Sequence, residues 1–126
     1  MPSQIKLVVT VPETHAGAVR EAMGKAGAGV VGNYAFCSFS TKGVGRFQPL
    51  EGAHPAIGSI GKLGEVVEER IEVTCSANMV ETIISAICSV HPYEEPVIDV
   101  YSMGSGSRVE AIEARKDVFP TDNYKP

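Results

Sequence analysis

The chain lacks tryptophan altogether, and its 126 residues include only four tyrosines, four phenylalanines, three histidines and three cysteines. Cys37, Cys75 and Cys88 are odd in number, widely spaced and free of any C-x-x-C, which fits reduced thiols in a cytosolic protein better than a disulfide framework. No apolar run approaches the ~20 residues that span a bilayer, and no basic-then-apolar leader opens the sequence. The expected location is therefore the cytoplasm. A net charge of −4 gives no electrostatic case for nucleic acid or an anionic membrane. No Walker A pattern or G-x-G-x-x-G opening a helix is present, so no nucleotide-binding fingerprint can be read.

Hydrophobic residues make up 44% of the chain and charged residues 21%, ordinary values for one globular domain with a real core. Ile5, Leu7, Val9 and Val11 alternate with Lys6, Val8 and Thr10, a period-two strand with one strongly apolar face. Pro12-Glu13-Thr14 reads as a helix start, with an acid near the positive helix end. Val19, Ala22, Met23 and Ala26 form an apolar stripe at helical spacing, and Gly27 and Gly29 end that helix. A second strand is expected over Gly32 to Lys42, carrying Tyr34, Phe36, Cys37 and Phe39. A third runs from Glu65 to Cys75, with Ile71, Val73 and Cys75 inward. Ser76 is the expected N-cap of a second helix, whose broad apolar face carries Met79, Val80, Ile83, Ile84, Ile87 and Val90. Glu95 to Tyr101 is the fourth strand.

The order βαββαβ predicts an α+β ferredoxin-like sandwich, an antiparallel sheet with both helices on one face. The other face is left bare, and Val8, Ala35, Val66, Ile98 and Val100 are expected to populate it and favour burial by another subunit. Two segments fall outside this plan. Residues 43–64 form a glycine-rich connection, and a loop this long is usually functional or mobile. Residues 104–126 form a tail that begins Gly-Ser-Gly-Ser and can add an edge strand or reach a neighbouring subunit.

The densest chemistry lies in His91-Pro92-Tyr93-Glu94-Glu95-Pro96. Pro92 removes a donor and biases His91 out of the helical region, while Pro96 biases Glu95 toward extended backbone. His91, Glu94 and Glu95 are candidate ligands for a divalent metal ion, because imidazole and carboxylate suit Zn, Cu or Ni. The alternative is a structural joint in which His91 and Tyr93 hydrogen-bond locally or across an interface. In the long loop Arg46, Gln48, Glu51 and His54, with Tyr93 from the corner, are the candidate ligand-binding residues. Its glycines would let backbone N–H groups approach an anion, with charge added by Arg46 and Lys62. Glu65, Glu68, Glu69 and Glu72 read as a solvated or paired stretch, and Cys37, Cys75 and Cys88 as buried structural thiols.

Several motifs converge on one resemblance: Gly32-Asn33-Tyr34, Cys37-Ser38-Phe39, Gly45-Arg46-Phe47-Gln48-Pro49-Leu50-Glu51-Gly52, Pro55-x-Ile57-Gly58, Glu69-x-x-Ile71-Glu72 and the His91–Pro96 stretch. From about Ile5 to Tyr101 the chain resembles the inserted domain of the Nif-three-like proteins, also catalogued as dimetal-binding or GTP cyclohydrolase homologues. The His-Pro-Tyr-Glu corner also resembles CutA, the trimeric divalent-cation-tolerance protein of the PII-like group. The resemblance implies a PII/CutA-like fold and a homotrimer with effector clefts between subunits. It also implies that the family's hydrolase label belongs to a His- and acid-rich flanking domain absent here, so no catalytic residue is expected. The readings rank as a binding module for a metal ion or small effector, then a protein-interaction domain, then an enzyme using His91 with Glu94 or Glu95.

Overall fold

A computed structural model of the chain describes residues 3–103; the predicted tail, 104–126, lies outside the described residues. Strand β1 (Gln4–Pro12) leads through a short 3-10 turn into helix α1 (Ala16–Lys25), followed by β2 (Phe39–Phe47), β3 (Gly64–Ser76), a second 3-10 turn, helix α2 (Val80–Val90) and β4 (Ile98–Ser102). The four strands form one sheet in the order β2-β3-β1-β4, and every neighbouring pair is antiparallel. This is the expected ferredoxin-like βαββαβ architecture.

The core follows from the two periodicities. Ile5, Leu7, Val9 and Val11 of β1 and Ile71, Val73 and Cys75 of β3 present one face, onto which Val19 and Met23 of α1 and Ile83 and Ile87 of α2 pack. Leu7, Val9, Ile71, Ile83 and Ile87 are fully buried, each contributing roughly 1.5–3 kcal/mol by removal from water. Helix α1 ends where the sequence places glycine. The Ala28 N–H donates to the Met23 carbonyl and the Gly27 N–H to the Gly24 carbonyl, with Gly27 at φ +104. That is a Schellman ending, and its left-handed residue favours glycine.

Ser76 does not cap a helix through its side chain. It has extended backbone before the 3-10 turn Ala77–Met79, and its hydroxyl accepts from Gln4 Nε2 at 3.3 Å.

The second strand departs most from expectation. Residues 32–38 are irregular, and β2 begins at Phe39 and runs on through Gly43–Phe47. The alternation of Tyr34 and Phe36 suggested a strand, but the backbone there turns left-handed at Gly32 (φ +56) and at Phe36 (φ 59). Reciprocal hydrogen bonds of 2.9 Å between Val31 and Tyr34 close a turn over Gly32-Asn33 instead. The segment is held down by the Cys37 N–H on the Gly29 carbonyl at 2.9 Å and the Gly29 N–H on the Thr74 carbonyl at 2.8 Å. A side chain at Gly29 would strike the Cys37 backbone. The long connection therefore shortens to residues 48–63.

Register also corrects the bare face. Ile98 pairs with Val9 and Val100 with Leu7, so both lie on the helix side, and Ala35 is in no strand. The open face carries Val8 and Val66 among polar residues. Lys6 reaches Glu72 at 3.2 Å and Arg70 reaches it at 3.3 Å, which lowers the Glu72 carboxyl, chiefly through Lys6. Val8, paired across to Glu72 and Asp99, is only 2% exposed. Two cysteines are corrected as well. Cys37 is half-buried in the irregular segment, and Cys88 is exposed, one helical step off the inward line of Ile83 and Ile87. Cys75 is buried as expected, and burial pushes its thiol up.

Candidate functional site

The site is built where the end of α2, the start of β4 and the β2–β3 connection meet. His91 closes α2: its backbone is extended (φ −77, ψ 133), as a residue before proline requires, and its N–H still donates to the Ile87 carbonyl at 2.9 Å. The residue is 7% exposed. Its Nε2 lies 2.8 Å from the Thr10 carbonyl, and its Nδ1 accepts from the Tyr93 N–H at 3.2 Å. Both ring nitrogens are thereby satisfied by the neutral tautomer with hydrogen on Nε2. His91 joins β1 to the corner, and neither nitrogen is left free for a metal.

Tyr93 extends this chain of contacts. Its ring stands 5.0 Å from that of His91 and 6.3 Å from Phe47. Its hydroxyl donates to Glu68 Oε2 at 2.8 Å. Burial, and then the Glu68 carboxylate, hold the phenol well above the ordinary tyrosine range. Glu68 lies opposite Gly43 in the β2–β3 ladder, and a Cβ at Gly45 would fall inside its carboxylate. Gly45 is thus a strand glycine that admits a neighbouring side chain, the use expected when another group approaches the backbone closely.

Above this pair opens a cleft of about 780 Å³, lined on one side by residues 45–53 and 55–57 and on the other by Tyr93, Glu94, Glu95 and Val97, with Thr10 and Glu68 between them. The loop is tied to the corner by the His54 N–H on Glu94 Oε1 at 2.9 Å, with the His54 ring 3.9 Å from the same carboxylate. Within the loop the Gly61 N–H donates to the Pro49 carbonyl at 2.8 Å.

Of the sequence-predicted residues, Arg46, Gln48, Glu51 and Tyr93 line this one cleft, together with Glu94 and Glu95. His54 reaches it only through Glu94, and Lys62 lies outside the lining. Arg46 is on β2 rather than in a loop, and its Nε is 3.3 Å from Glu65. His91, Glu94 and Glu95 are not gathered as a ligand set. Among the described residues no group of three or more His, Cys, Asp or Glu side chains is arranged to hold a metal ion. The acidic run of β3 is paired throughout, Glu65 with Arg46, Glu68 with Tyr93, Glu69 with Arg20 and Glu72 with Lys6. Glu68 is the site residue that sequence reasoning missed. The one signal was glycine at 45, where a strand glycine marks close approach.

No family model matches the chain. It is similar to one segment of longer proteins. Over 103 residues it is 47% identical to a GTP cyclohydrolase 1 type 2 homolog of Halalkalibacterium halodurans, a match that takes in 82% of this chain and 28% of that protein. Over 96 residues it is 45% identical to the homolog of Bacillus subtilis, covering 76% of this chain and 26% of the relative. The chain thus spans about a quarter of the length of the curated relatives it matches. Among solved structures, a Bacillus cereus protein related to NIF3 matches with a TM-score of 0.72 at 44% identity, over 82% of this chain and 26% of that one. CutA from Archaeoglobus fulgidus matches nearly end to end, with a TM-score of 0.63 at 14% identity over 91% of this chain and 98% of its own. The first pair of likenesses and the NIF3-related structure identify the segment that this chain resembles, and the last shows that its fold is CutA/PII-like.

Proposed function

We propose that this CutA-like, NIF3-related segment is a small ligand-binding module that works as a homo-oligomer, on the PII-like pattern a trimer, with its ligand taken up in the cleft between the His91–Pro96 corner and the end of β2 with the connection that follows it. The observation that carries the reading is the cleft itself. Its volume of about 780 Å³ lies within the range of small-molecule sites. Phe47, Leu50, Ile57 and Val97 supply apolar wall, charged and polar groups stand among them, and the floor is fixed by the Tyr93–Glu68 hydrogen bond. A divalent metal ion or a small effector is the ligand class. For a bare metal, Glu94 and Glu95 would need donors from a second copy.

Oligomerisation is supported by the apolar surface around the cleft. Of the residues that line it, Leu50 is 70% exposed and Val97 56%. Large apolar side chains left in solvent beside a cleft are the kind of surface that association buries. The cyclohydrolase name stays with the longer relatives, and no catalytic step is assigned to the residues of this chain.

A second reading, a protein-interaction domain, is favoured by separate exposed side chains on and flanking the irregular segment, Val30, Tyr34, Phe36 and Phe39. Two measurements separate the readings. Light scattering on tag-free protein should give a trimer mass, and calorimetry with Zn, Cu, Ni and Co and a panel of small effectors should give saturable uptake that Tyr93→Ala weakens. A monomer that takes up none of these, while a pull-down recovers one stoichiometric partner, would replace the first reading by the second.

A further inference from the structure

The lining of the cleft restricts what it can hold, and the argument rests on the binding reading above. Four carboxylates, Glu51, Glu68, Glu94 and Glu95, line it against a single cation, Arg46. Arg46 is itself engaged by Glu65 at 3.3 Å. An anionic ligand would enter a field of its own sign, and juxtaposed like charges are costly. A bare divalent ion asks for a coordination sphere of several oxygen or nitrogen donors, and no group of three such side chains exists among the described residues.

What the cleft offers instead is hydrogen-bond acceptors beside apolar walls. Glu68 uses Oε2 to accept from Tyr93, and its Oε1 packs against Gly45 in the space a side chain there would fill, while the half-buried residue lines the cleft. A carboxylate has about four lone-pair sites, so a second donor can be taken without breaking the first bond. Phe47 and Tyr93 stand with ring centroids 6.3 Å apart and planes inclined at 49°, and Leu50, Ile57 and Val97 complete the apolar wall. Aromatic faces next to carboxylates attract a cation twice, through the ring quadrupole and through charge.

We propose that the ligand of this cleft is an organic cation with an apolar body, an ammonium, amidinium or guanidinium group on a ring or short chain, whose charged head is received by Glu68 with Glu94 and Glu95 at the rim. Glu68 is then the residue that sets specificity, and Gly45 and Tyr93 position its carboxylate.

Three probes of one shape and three charges test this: benzylammonium, benzyl alcohol and phenylacetate, titrated into the 15N-labelled protein in its solution oligomeric state at pH 7 and low salt. Benzylammonium is expected to shift the amides of Gly45, Phe47, Tyr93 and Glu94 saturably, and to bind about 10-fold or more tightly than benzyl alcohol, as loss of a charged hydrogen bond implies. Phenylacetate is expected not to bind, and 150 mM salt should weaken benzylammonium. Glu68→Gln should lower the benzylammonium affinity about 10-fold while leaving benzyl alcohol unchanged. Glu95→Gln, at an exposed position, should lower it by a smaller factor and serves if Glu68→Gln fails to fold. Phenylacetate binding as tightly as benzylammonium, shifts confined to surfaces outside the cleft, or no effect of either variant would overturn the assignment and leave a binding cleft of another specificity. If none of the three probes, no divalent metal and no effector binds, the binding reading falls together with it.

Discussion

Replacing Gly45 by alanine should change sign in its effect on stability according to whether Tyr93 carries its hydroxyl. A Cβ at position 45 would overlap the Glu68 carboxylate, the far end of a flexible side chain, so Glu68 can swing away with little direct clash. The cost is then the hydrogen bond that Glu68 accepts from Tyr93 at 2.8 Å. A charge-assisted hydrogen bond contributes about 1.5–3 kcal/mol, and half-burial places this one near 1.5 kcal/mol. Against that stands the gain of replacing a strand glycine, roughly 0.5–1 kcal/mol. In the parent protein Gly45→Ala is therefore expected to destabilise by about 0.5–1 kcal/mol. In a Tyr93→Phe background the bond is already absent, and the same change should stabilise by about 0.5–1 kcal/mol. Urea unfolding of the four proteins at one fixed protein concentration yields the coupling as a double-mutant cycle, with an expected value of about 1.5 kcal/mol. Equal destabilisation in both backgrounds would refute the reasoning, because it would mean that Gly45 serves the backbone rather than Glu68.

Tyr93 should also mark the alkaline limb of stability. Its phenol is raised by burial and then by Glu68, so the unfolded chain releases this proton first. The contribution is complete below the ordinary tyrosine value of about 10 and is lost as pH climbs toward the folded value. The fall in melting temperature above pH 10 should be steeper for the parent than for Tyr93→Phe, and the 295 nm difference spectrum between them should rise later than that of free tyrosine. Gly29→Ala combines φ +78 with a Cβ directed into the Cys37 backbone, so a loss of at least about 2 kcal/mol is expected in a denaturant melt. In the native protein Cys37 and Cys88 should react with a thiol reagent promptly, and Cys75 only on unfolding, because it is buried and its thiol is raised by that burial.

Much of the architecture could be read from the chain because β1, β3, α1 and α2 each bury a regular apolar stripe. Ile5 through Val11, Ile71 through Cys75 and Ile83 with Ile87 are the core that the periodicity picked out. The second strand escaped for a physical reason. Its N-terminal half was claimed by residues 32–38, whose aromatic alternation is real but whose backbone turns left-handed at Gly32 and Phe36. Its C-terminal half contains Gly43 and Gly45, which local propensity assigns to a loop and which only the ladder with β3 makes a strand. The same ladder hid the floor of the site. Arg46, Gln48, Glu51 and Tyr93 were legible as polar residues at a turn and a corner. Glu68 looked like one more acid in a solvated run, because its partner lies 25 residues away.

The imidazole of His91 ties two kinds of secondary structure into one unit of opening. β4 pairs with β1 only from Ile5 to Val9, so the Thr10 carbonyl lies beyond the ladder and is taken by the His91 ring, while the His91 amide still completes the last turn of α2. Fraying of the helix end thus withdraws the ring from β1, and peeling of β1 at Thr10 removes the anchor of the helix end. The amides of Thr10, His91 and Tyr93 should then exchange with solvent through a common event rather than as separate local fluctuations.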